Sequence, residues 1–280
     1  MIRINKLLKR YKSRTIIQID NFGFKDGLIY GIVGANGSGK STLMKCLVNL
    51  VDYSGEIFYD DKEIKLHPEV LKEVGTIIET PMFYNDMSAI QNLDYFLPCK
   101  KDATLLLKKM GLYNVSDDKV KTYSMGMKQK LAIILACLKG DKIIILDEPF
   151  NGLDVKSVRV VINFLLSEKE KGKTIIVSSH MPNTINKLCD EIYTIEDKVL
   201  KRNFNENTTK KYVFTFNAEL EMQKAKSYLE EKKQKSVQQL GFDLVAECND
   251  SKELKEILKV FIDFDMVSYE ELSQDMEAMC

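Results

Sequence analysis

Short apolar runs alternate with longer helical patterns over the first part of the chain. The apolar runs, rich in β-branched residues, cover residues 28–33, 142–146 and 174–179. The helical patterns cover about 40–50 and about 155–171. We predict that Leu43, Leu47 and Leu50 line the buried face of the first helix. This alternation predicts an α/β fold with a parallel sheet covered by helices.

Two stretches depart from this alternation. Residues from about 88 to 139 show helical periods with almost no strand signal, so we predict a helical insertion there. After about Asn205 the pattern changes, and we expect a main domain over 1–204, a polar connection over 203–211 and a small C-terminal α+β appendage over 205–280. The elements predicted in the appendage are strands at 212–216, 242–247 and 266–269 and helices at 219–235 and 251–262.

Composition narrows the class of protein. The chain has 280 residues with 41 basic and 41 acidic side chains, so it lacks the overall positive field typical of nucleic-acid binders. No stretch approaches the roughly 18–20 apolar residues of a membrane-spanning helix, and residues 1–14 are polar and basic without an apolar signal core. We expect a chain that lies in the cytosol or docks on a membrane surface. Its six cysteines include no CxxC pair, which favours reduced thiols over a metal cluster.

One segment carries the strongest chemical signal. The run Gly34-Ala35-Asn36-Gly37-Ser38-Gly39-Lys40-Ser41-Thr42 fits the phosphate-loop pattern GxxxxGK[ST] between a predicted strand and a predicted helix. Glycines let backbone N–H groups point inward at a phosphate, and the helix N-terminus adds its dipole. We predict that Lys40 reaches the β- and γ-phosphates and that Ser41 holds Mg²⁺. The alternative, a flexible glycine turn, does not account for the flanking strand and helix.

Acidic side chains follow the apolar run at 142–146. Asp147 and Glu148 would lie at the carboxyl edge of a parallel sheet, where the phosphate loop also lies. A nucleotide-hydrolysing site needs a carboxylate for Mg²⁺ and a group that orients the attacking water, and we assign these roles to Asp147 and Glu148. His180 ends the next strand and could reach the γ-phosphate from the same edge. Taken alone, each of these features also fits an ordinary structural turn.

Together these residues resemble the ATP-binding subunit of ABC transporters over about residues 1–202. The matching motifs are Walker A at 34–42, Walker B at 143–148, the signature at 123–129 (Tyr-Ser-Met-Gly-Met-Lys-Gln), the D-loop at 151–154 (Asn-Gly-Leu-Asp) and the switch histidine at His180. Tyr11 lies where the family places an aromatic ring that stacks on adenine. A buried packing role for Tyr11 stays open as the alternative, because aromatic side chains are common in such positions for packing alone.

The resemblance implies a P-loop NTPase fold of the ABC type, with a helical subdomain, that binds ATP and Mg²⁺ as a dimer. The Walker motifs of one subunit would bind the nucleotide, and Ser124 and Gly126 of the other subunit would contact its γ-phosphate. Asp154 would help hold the two halves in register, and Glu148 would polarise the water with assistance from His180. Closure on ATP and opening after hydrolysis would drive a bound partner.

The chain departs from the usual family pattern in two places. Met125 and Met127 replace the first glycine and the glutamine of the signature, and we expect them to make the partner-side surface more apolar. Glu79 stands where most members carry glutamine. It would add a negative charge near Mg²⁺ and near the groove for the membrane subunit, so we count it among the expected metal-binding and cofactor-binding residues.

The run Glu79-Thr80-Pro81-Met82-Phe83-Tyr84, together with the signature, resembles the branch that serves lantibiotic and bacitracin export and self-protection. The family receives a coupling helix from its transmembrane partner in this region. Residues 82–84 would therefore either contact that helix or belong to the core. A drifted member of another peptide or drug exporter group is the alternative within the family.

The resemblance implies an ATPase subunit that powers a separate membrane permease, peripheral on the inner face of the cell membrane, together with a second subunit that is identical or a close paralogue. No nucleic-acid partner is expected. A rival interpretation is a soluble ABC ATPase acting on ribosomes or nucleic acid, which the single cassette and the missing basic stripe disfavour. A regulatory module with vestigial activity is disfavoured by the intact set of Lys40, Asp147, Glu148 and His180.

Overall fold

The chain folds into two compact units, Met1–Asn203 and Phe204–Cys280. The fold is that of a computed structural model, which describes residues 1–79, 82–97, 103–203, 210–233, 235, 237–248 and 251–271. The expected boundary at residues 204 and 205 lies outside the described residues, and so do Thr80 and Pro81.

The first unit combines ten strands and six α-helices in its described residues. The strands are β1 (Ile2–Tyr11), β2 (Arg14–Phe24), β3 (Ile29–Val33), β4 (Ser54–Tyr59), β5 (Lys62–Glu63), β6 (Val74–Ile77), β7 (Ile143–Leu146), β8 (Thr174–Ser179), β9 (Glu191–Glu196) and β10 (Val199–Asn203). The α-helices are α1 (Lys40–Leu47), α2 (Ala89–Phe96), α3 (Ala103–Lys109), α4 (Met125–Lys139), α5 (Val155–Lys169) and α6 (Pro182–Leu188). Short 3₁₀ turns cover Pro68–Glu73, Tyr113–Val115 and Val120–Thr122.

A six-stranded sheet of order β10-β9-β3-β8-β7-β6 forms the centre of this unit. All of its strands run parallel except β10, which pairs antiparallel with β9 at the edge. Every residue of β3, β7 and β8 is buried, because helices or a second sheet cover both faces. The three predicted apolar runs are therefore central strands, and the loops that follow β3, β6, β7 and β8 emerge at one edge. The predicted α/β fold is confirmed.

A second sheet of order β2-β1-β4-β5 is antiparallel and shares a core with α1 and one face of the central sheet. The long β1–β2 hairpin that it contains has no counterpart in the sequence prediction. Leu43 and Leu47 are fully buried in this shared core. The prediction for Leu50 is wrong: α1 ends at Leu47, and Leu50 is 64% exposed beyond it.

The other face of the central sheet packs against α4 and α5. Gly75 in β6 allows α4 to approach closely, since a Cβ built on it would lie 1.8 Å from the backbone oxygen of Ala136. The described part of the stretch from 88 to 139 contains α2, α3, α4 and two of the 3₁₀ turns, so its predicted helical character is confirmed.

In its described residues, the second unit is an antiparallel sheet with two α-helices. Its elements are β11 (Lys210–Phe216), α7 (Glu219–Ser227), a π-helical turn (Tyr228–Lys232), β12 (Val237–Leu240), β13 (Asp243–Cys248), α8 (Ser251–Ile262) and β14 (Met266–Glu271), with strand order β12-β13-β11-β14. Phe214 and Phe261 are fully buried in its core. Across both units, none of the helices in the described part of the chain has the length and apolar character to span a bilayer.

Candidate nucleotide site

A cavity of about 340 Å³ opens where β3 gives way to α1. This volume lies within the range typical of small-molecule sites. The residues that line it are Arg14, Ile16, Asn36, Gly37, Gly39, Lys40, Ser41, Thr42 and Glu148. Gly37 and Gly39 have φ angles of 81° and 112°, a left-handed conformation that lets the loop curl ahead of the helix N-terminus. Ser38 has a buried Oγ without a hydrogen-bond partner and lines a neighbouring cavity of about 220 Å³ instead.

The Lys40 side chain is buried inside the glycine-rich loop and stabilises it through hydrogen bonds to its backbone. Its side chain is only 5% exposed, and its Nζ donates hydrogen bonds to the backbone oxygens of Gly34 at 2.7 Å and Ala35 at 3.2 Å. Oε1 of Glu148 lies 3.6 Å from this ammonium. A buried cation beside a curled loop and a helix N-terminus is suited to bind the phosphates of a nucleotide.

Asp147 and Glu148 follow β7, and both form a hydrogen bond with Ser178. Asp147 is 8% exposed, and its backbone N–H donates to the oxygen of Ile77 at 2.7 Å, which extends the pairing of β7 with β6. Ser178 Oγ donates to Oδ1 of Asp147 at 2.5 Å and accepts from the backbone N–H of Glu148 at 2.8 Å. Ser178 is not among the predicted site residues, because a hydroxyl in a buried strand gives no distinctive signal in the sequence.

Glu148 leaves the sheet in a left-handed conformation, with φ at 49°. Such a conformation is uncommon for a residue with a side chain and is concentrated at functional sites. His180, which follows β8, brings Nδ1 to 2.9 Å from Oε2 of Glu148. The structure therefore brings Lys40, Glu148 and His180 together, as the sequence analysis predicted that they would meet at this sheet edge.

Glu79 follows β6 at the same edge and also has a left-handed backbone, with φ at 69°. Its Oε1 forms an ion pair with Nζ of Lys45 on α1. The hydrogen bond from Lys45 to Glu79 raises the pKa of Lys45 above its ordinary value. No short motif connects two residues so far apart in the chain, so the sequence alone does not predict this role for Lys45.

The residues present fit a magnesium ion that is completed by phosphate oxygens. Mg²⁺ is usually held by one or two carboxylates together with phosphates and water. Asp147 offers a fixed carboxylate, and Ser41 offers a hydroxyl that lines the cavity. Within the described ranges, no group of three or more His, Cys, Asp or Glu side chains is placed to hold an ion by itself. A bound nucleotide would supply phosphate oxygens as further ligands.

Tyr11, the residue expected to stack on adenine, lies exposed at the end of β1. Tyr11 is 47% exposed, so the alternative of a buried packing role is wrong. Its ring lies 4.5 Å from the ammonium of Lys9, a cation–π contact, but Tyr11 does not line the cavity. Arg14 and Ile16 at the start of β2 line it instead. Neither residue is among the predicted site residues, because the sequence pattern does not predict the β1–β2 hairpin.

The signature residues lie at the N-terminus of α4. Ser124 caps this helix, with its Oγ accepting a hydrogen bond from the backbone N–H of Met127 at 3.2 Å. Met125 is 66% exposed, as expected for an apolar partner-side surface. Met127 is partly buried, and its side chain packs against the core, so it exposes less apolar surface than Met125 does.

The D-loop lies directly against the signature. A Cβ built on Gly126 would lie 3.0 Å from the backbone oxygen of Gly152, so glycine allows the two loops to touch. Asp154 caps α5, and its Oδ1 accepts a hydrogen bond from the backbone N–H of Ser157 at 2.7 Å, which lowers the pKa of Asp154. Ser124, Gly126 and Asp154 do not line the cavity of their own chain.

Comparison with known proteins decides the family. The ABC transporter family model matches residues 17–151. The lantibiotic transport ATP-binding protein SrtF of Streptococcus pyogenes is 37% identical over 206 residues, which cover 71% of this chain and 89% of SrtF. The chain belongs to the ABC ATPases. The bacitracin transport ATP-binding protein BcrA of Bacillus licheniformis is 36% identical to this ABC ATPase over 212 residues, covering 72% of the chain and 69% of BcrA.

Solved structures share its fold. The ATP-binding subunit of an ABC transporter superimposes with a TM-score of 0.65 at 25% identity, covering 71% of this chain and 88% of that one. A dimeric ATP-binding cassette in a post-hydrolysis state, bound to ADP and Pi, has a TM-score of 0.64 at 23% identity, covering 72% and 97%. The predicted family, fold and ATPase activity are confirmed: the chain is the ATP-binding, ATP-hydrolysing subunit of a transporter.

Proposed function

We propose that this ABC ATPase powers a separate membrane permease that exports an antimicrobial peptide, such as a lantibiotic or a bacitracin-like compound. The names of SrtF and BcrA support this substrate class. In this proposal the subunit lies on the cytoplasmic face of the membrane and works with ATP and Mg²⁺. The observation that carries it is an exposed aromatic cluster that follows the Glu79 loop.

The cluster consists of Tyr84, Tyr95 and Phe96. These side chains are 46%, 57% and 40% exposed, and their ring centroids lie 4.7 to 5.9 Å apart. Met82, which precedes Phe83 and Tyr84 in the chain, is 87% exposed, whereas Phe83 packs against the core. Contiguous exposed aromatic surface marks interaction sites in soluble domains. In our proposal it receives the coupling helix of the permease.

Residues in and around the cavity divide the work of phosphoryl transfer. Lys40 and the loop N–H groups bind and orient the phosphates, and Ser41 and Asp147 would hold Mg²⁺, which would neutralise negative charge. Glu148 orients the attacking water and accepts its proton, because its carboxylate faces the cavity. His180 holds Glu148 in that orientation through the contact at 2.9 Å.

The proposal includes a second ATP-binding subunit, either identical or closely related. Ser124, Gly126 and Asp154 lie outside the cavity of their own chain, so they are available to a nucleotide bound by the other subunit. The exposed Met125 would then lie in the interface between subunits. The dimeric form of the structural neighbour supports this arrangement.

Detergent co-purification of the tagged protein from its own membranes, with mass spectrometry of the partners, tests the proposal. We expect one or two polytopic membrane proteins with wild type and their loss with the Tyr84→Ala, Tyr95→Ala double variant. Tyr113→Ala is the matched control, because Tyr113 is similarly exposed, at 45%, but lies outside the cluster. Recovery of ribosomal or nucleic-acid proteins without membrane proteins would overturn the proposal and favour the soluble ABC ATPase.

A further inference from the structure

Lys45 connects the phosphate-loop helix to the loop that follows β6. It lies four residues after Ser41, so the two side chains share one face of α1. Its Nζ forms an ion pair with Oε1 of Glu79, and the two side chains are 26% and 67% exposed. This contact joins the element that binds phosphate to the residue that replaces the usual family glutamine.

The contact lies at the corner of the site where the central sheet ends in Asp147 and Glu148, so negative charge accumulates there. The backbone N–H of Asp147 donates to the oxygen of Ile77, so Glu79 follows a strand end that is paired with the one carrying Asp147 and Glu148. A third carboxylate free to turn into this corner would attract Mg²⁺ and repel the phosphates of a metal-free nucleotide. Lys45 is placed to prevent both effects by holding the Glu79 carboxylate on α1.

We propose that Lys45 is a positioning residue for Glu79. Lys45 keeps the Glu79 carboxylate away from the phosphates, and in this way it sets how strongly nucleotide binding depends on Mg²⁺. The inference rests on the proposed function, in which Ser41 and Asp147 bind Mg²⁺. An exposed ion pair adds little to folding stability, so the pair acts on binding rather than on the fold. Its two members form one unit, and the effect of changing Lys45 depends on the presence of Glu79.

A double-mutant cycle measures that dependence. The proteins are wild type, Lys45→Met, Glu79→Gln and the double variant, and the readout is binding of a fluorescent ATP analogue in EDTA and across a Mg²⁺ titration. We expect Lys45→Met to weaken binding in EDTA about two- to five-fold and to lower the half-saturating Mg²⁺ concentration by a similar factor. In the Glu79→Gln background, the same change should shift the Mg²⁺ requirement by less than half as much.

Two controls separate positioning from other causes. Lys45→Arg keeps the charge and should retain wild-type behaviour. Lys121→Met removes a lysine that is paired with Asp86 at 2.9 Å and does not line the cavity, and it should change neither quantity. A through-space effect of charge would act equally with and without Glu79, so equal shifts in both backgrounds would overturn the inference. No shift with Lys45→Met would also overturn it. Failure of wild type to bind the analogue would instead overturn the nucleotide site, and the role of the pair with it.

Discussion

His180 Nδ1 lies 2.9 Å from Oε2 of Glu148, although the two residues follow different strands of the central sheet. The pairing of β7 with β8 aligns their carboxyl ends, so the imidazole and the carboxylate meet without a dedicated loop. The other oxygen of Glu148 faces the Lys40 ammonium at 3.6 Å. Partners on both sides fix the carboxylate toward the cavity, which is what orienting a water molecule requires.

Replacing Glu148 by glutamine tests this role. The amide keeps the size of the side chain but cannot accept a proton, so we expect ATP hydrolysis to fall at least about 100-fold. ATP binding should persist, because Lys40 and the loop are unchanged. The uncleaved nucleotide should hold two subunits together, which size-exclusion chromatography with ATP and Mg²⁺ would show as a dimer peak.

A comparable change outside the site serves as the control for this experiment. Glu170→Gln alters an exposed glutamate after α5 and should leave both hydrolysis and the elution position unchanged. If the Glu148→Gln protein eluted as a monomer with ATP, the site shared between two subunits would be contradicted. Near-normal hydrolysis would remove Glu148 from its proposed role.

Ser178 forms hydrogen bonds with both Asp147 and Glu148. Ser178→Ala should therefore show whether positioning these acidic residues matters more for catalysis than for ATP binding. Its loss removes one partner from Oδ1 of Asp147 and one from the backbone N–H of Glu148. We expect a loss of about 1–3 kcal/mol in the free energy of unfolding and a larger fall in kcat than in ATP affinity. Denaturant titration and steady-state kinetics measure the two. Ser167→Ala, which removes a single hydrogen bond to the oxygen of Phe164, is the control, and equal effects on both variants would contradict the role of Ser178.

Much of the site could be predicted because its chemistry is local in sequence. The phosphate loop and the acidic pair each follow a buried apolar strand, so the strand pattern alone predicts that they share one sheet edge. Lys40, Asp147, Glu148 and His180 lie there in the structure. The helical insertion could also be predicted, because helical periodicity extends over several turns in α4.

Other features depend on pairing between distant segments. The contact between Lys45 and Glu79 spans 34 residues and follows from the crossing of α1 and the loop after β6. The β1–β2 hairpin has a mixed exposure pattern and a register shift between Lys9 and Arg10, so its periodicity is broken. Leu50 fits a helical pattern, yet α1 ends before it. Such outcomes are decided by tertiary packing, which no local pattern encodes.

Gly75 offers a test of how β6 and α4 pack. A methyl group on this residue would lie 1.8 Å from the backbone oxygen of Ala136, and neither backbone segment can move without disturbing the sheet. We expect Gly75→Ala to lower the free energy of unfolding by about 1–3 kcal/mol or more. Gly23→Ala is the matched control, because its nearest neighbour is the flexible end of Met1 at 3.1 Å. Equal unfolding midpoints in urea for the two variants would show that the contact is not tight.

A buried ion pair makes the stability of the first unit depend on pH. Glu168 is only 1% exposed; its Oε2 lies 2.7 Å from the ammonium of Lys173, and its Oε1 pairs with Lys171. Burial alone would raise the pKa of Glu168, but the hydrogen bonds from the two lysines outweigh it and hold that pKa below its ordinary value of 4.5. Lys173 also donates to the backbone oxygen of Cys137 at 2.7 Å, so the pair connects the ends of α4 and α5 to the start of β8.

Because the pKa of Glu168 is lower in the folded state than in the unfolded state, its stabilisation is complete above about pH 4.5 and is lost as the pH falls through the lowered value. Glu168→Gln removes the charge and should cost about 1–3 kcal/mol at pH 7. The difference in free energy of unfolding between wild type and variant should therefore shrink as the pH falls below 4.5. Urea titrations from pH 3.5 to pH 7 measure it, with Glu170→Gln as the exposed control. If the difference stayed constant over this range, the charge of the Glu168 carboxylate would contribute nothing to the free energy of unfolding, and the prediction would be contradicted.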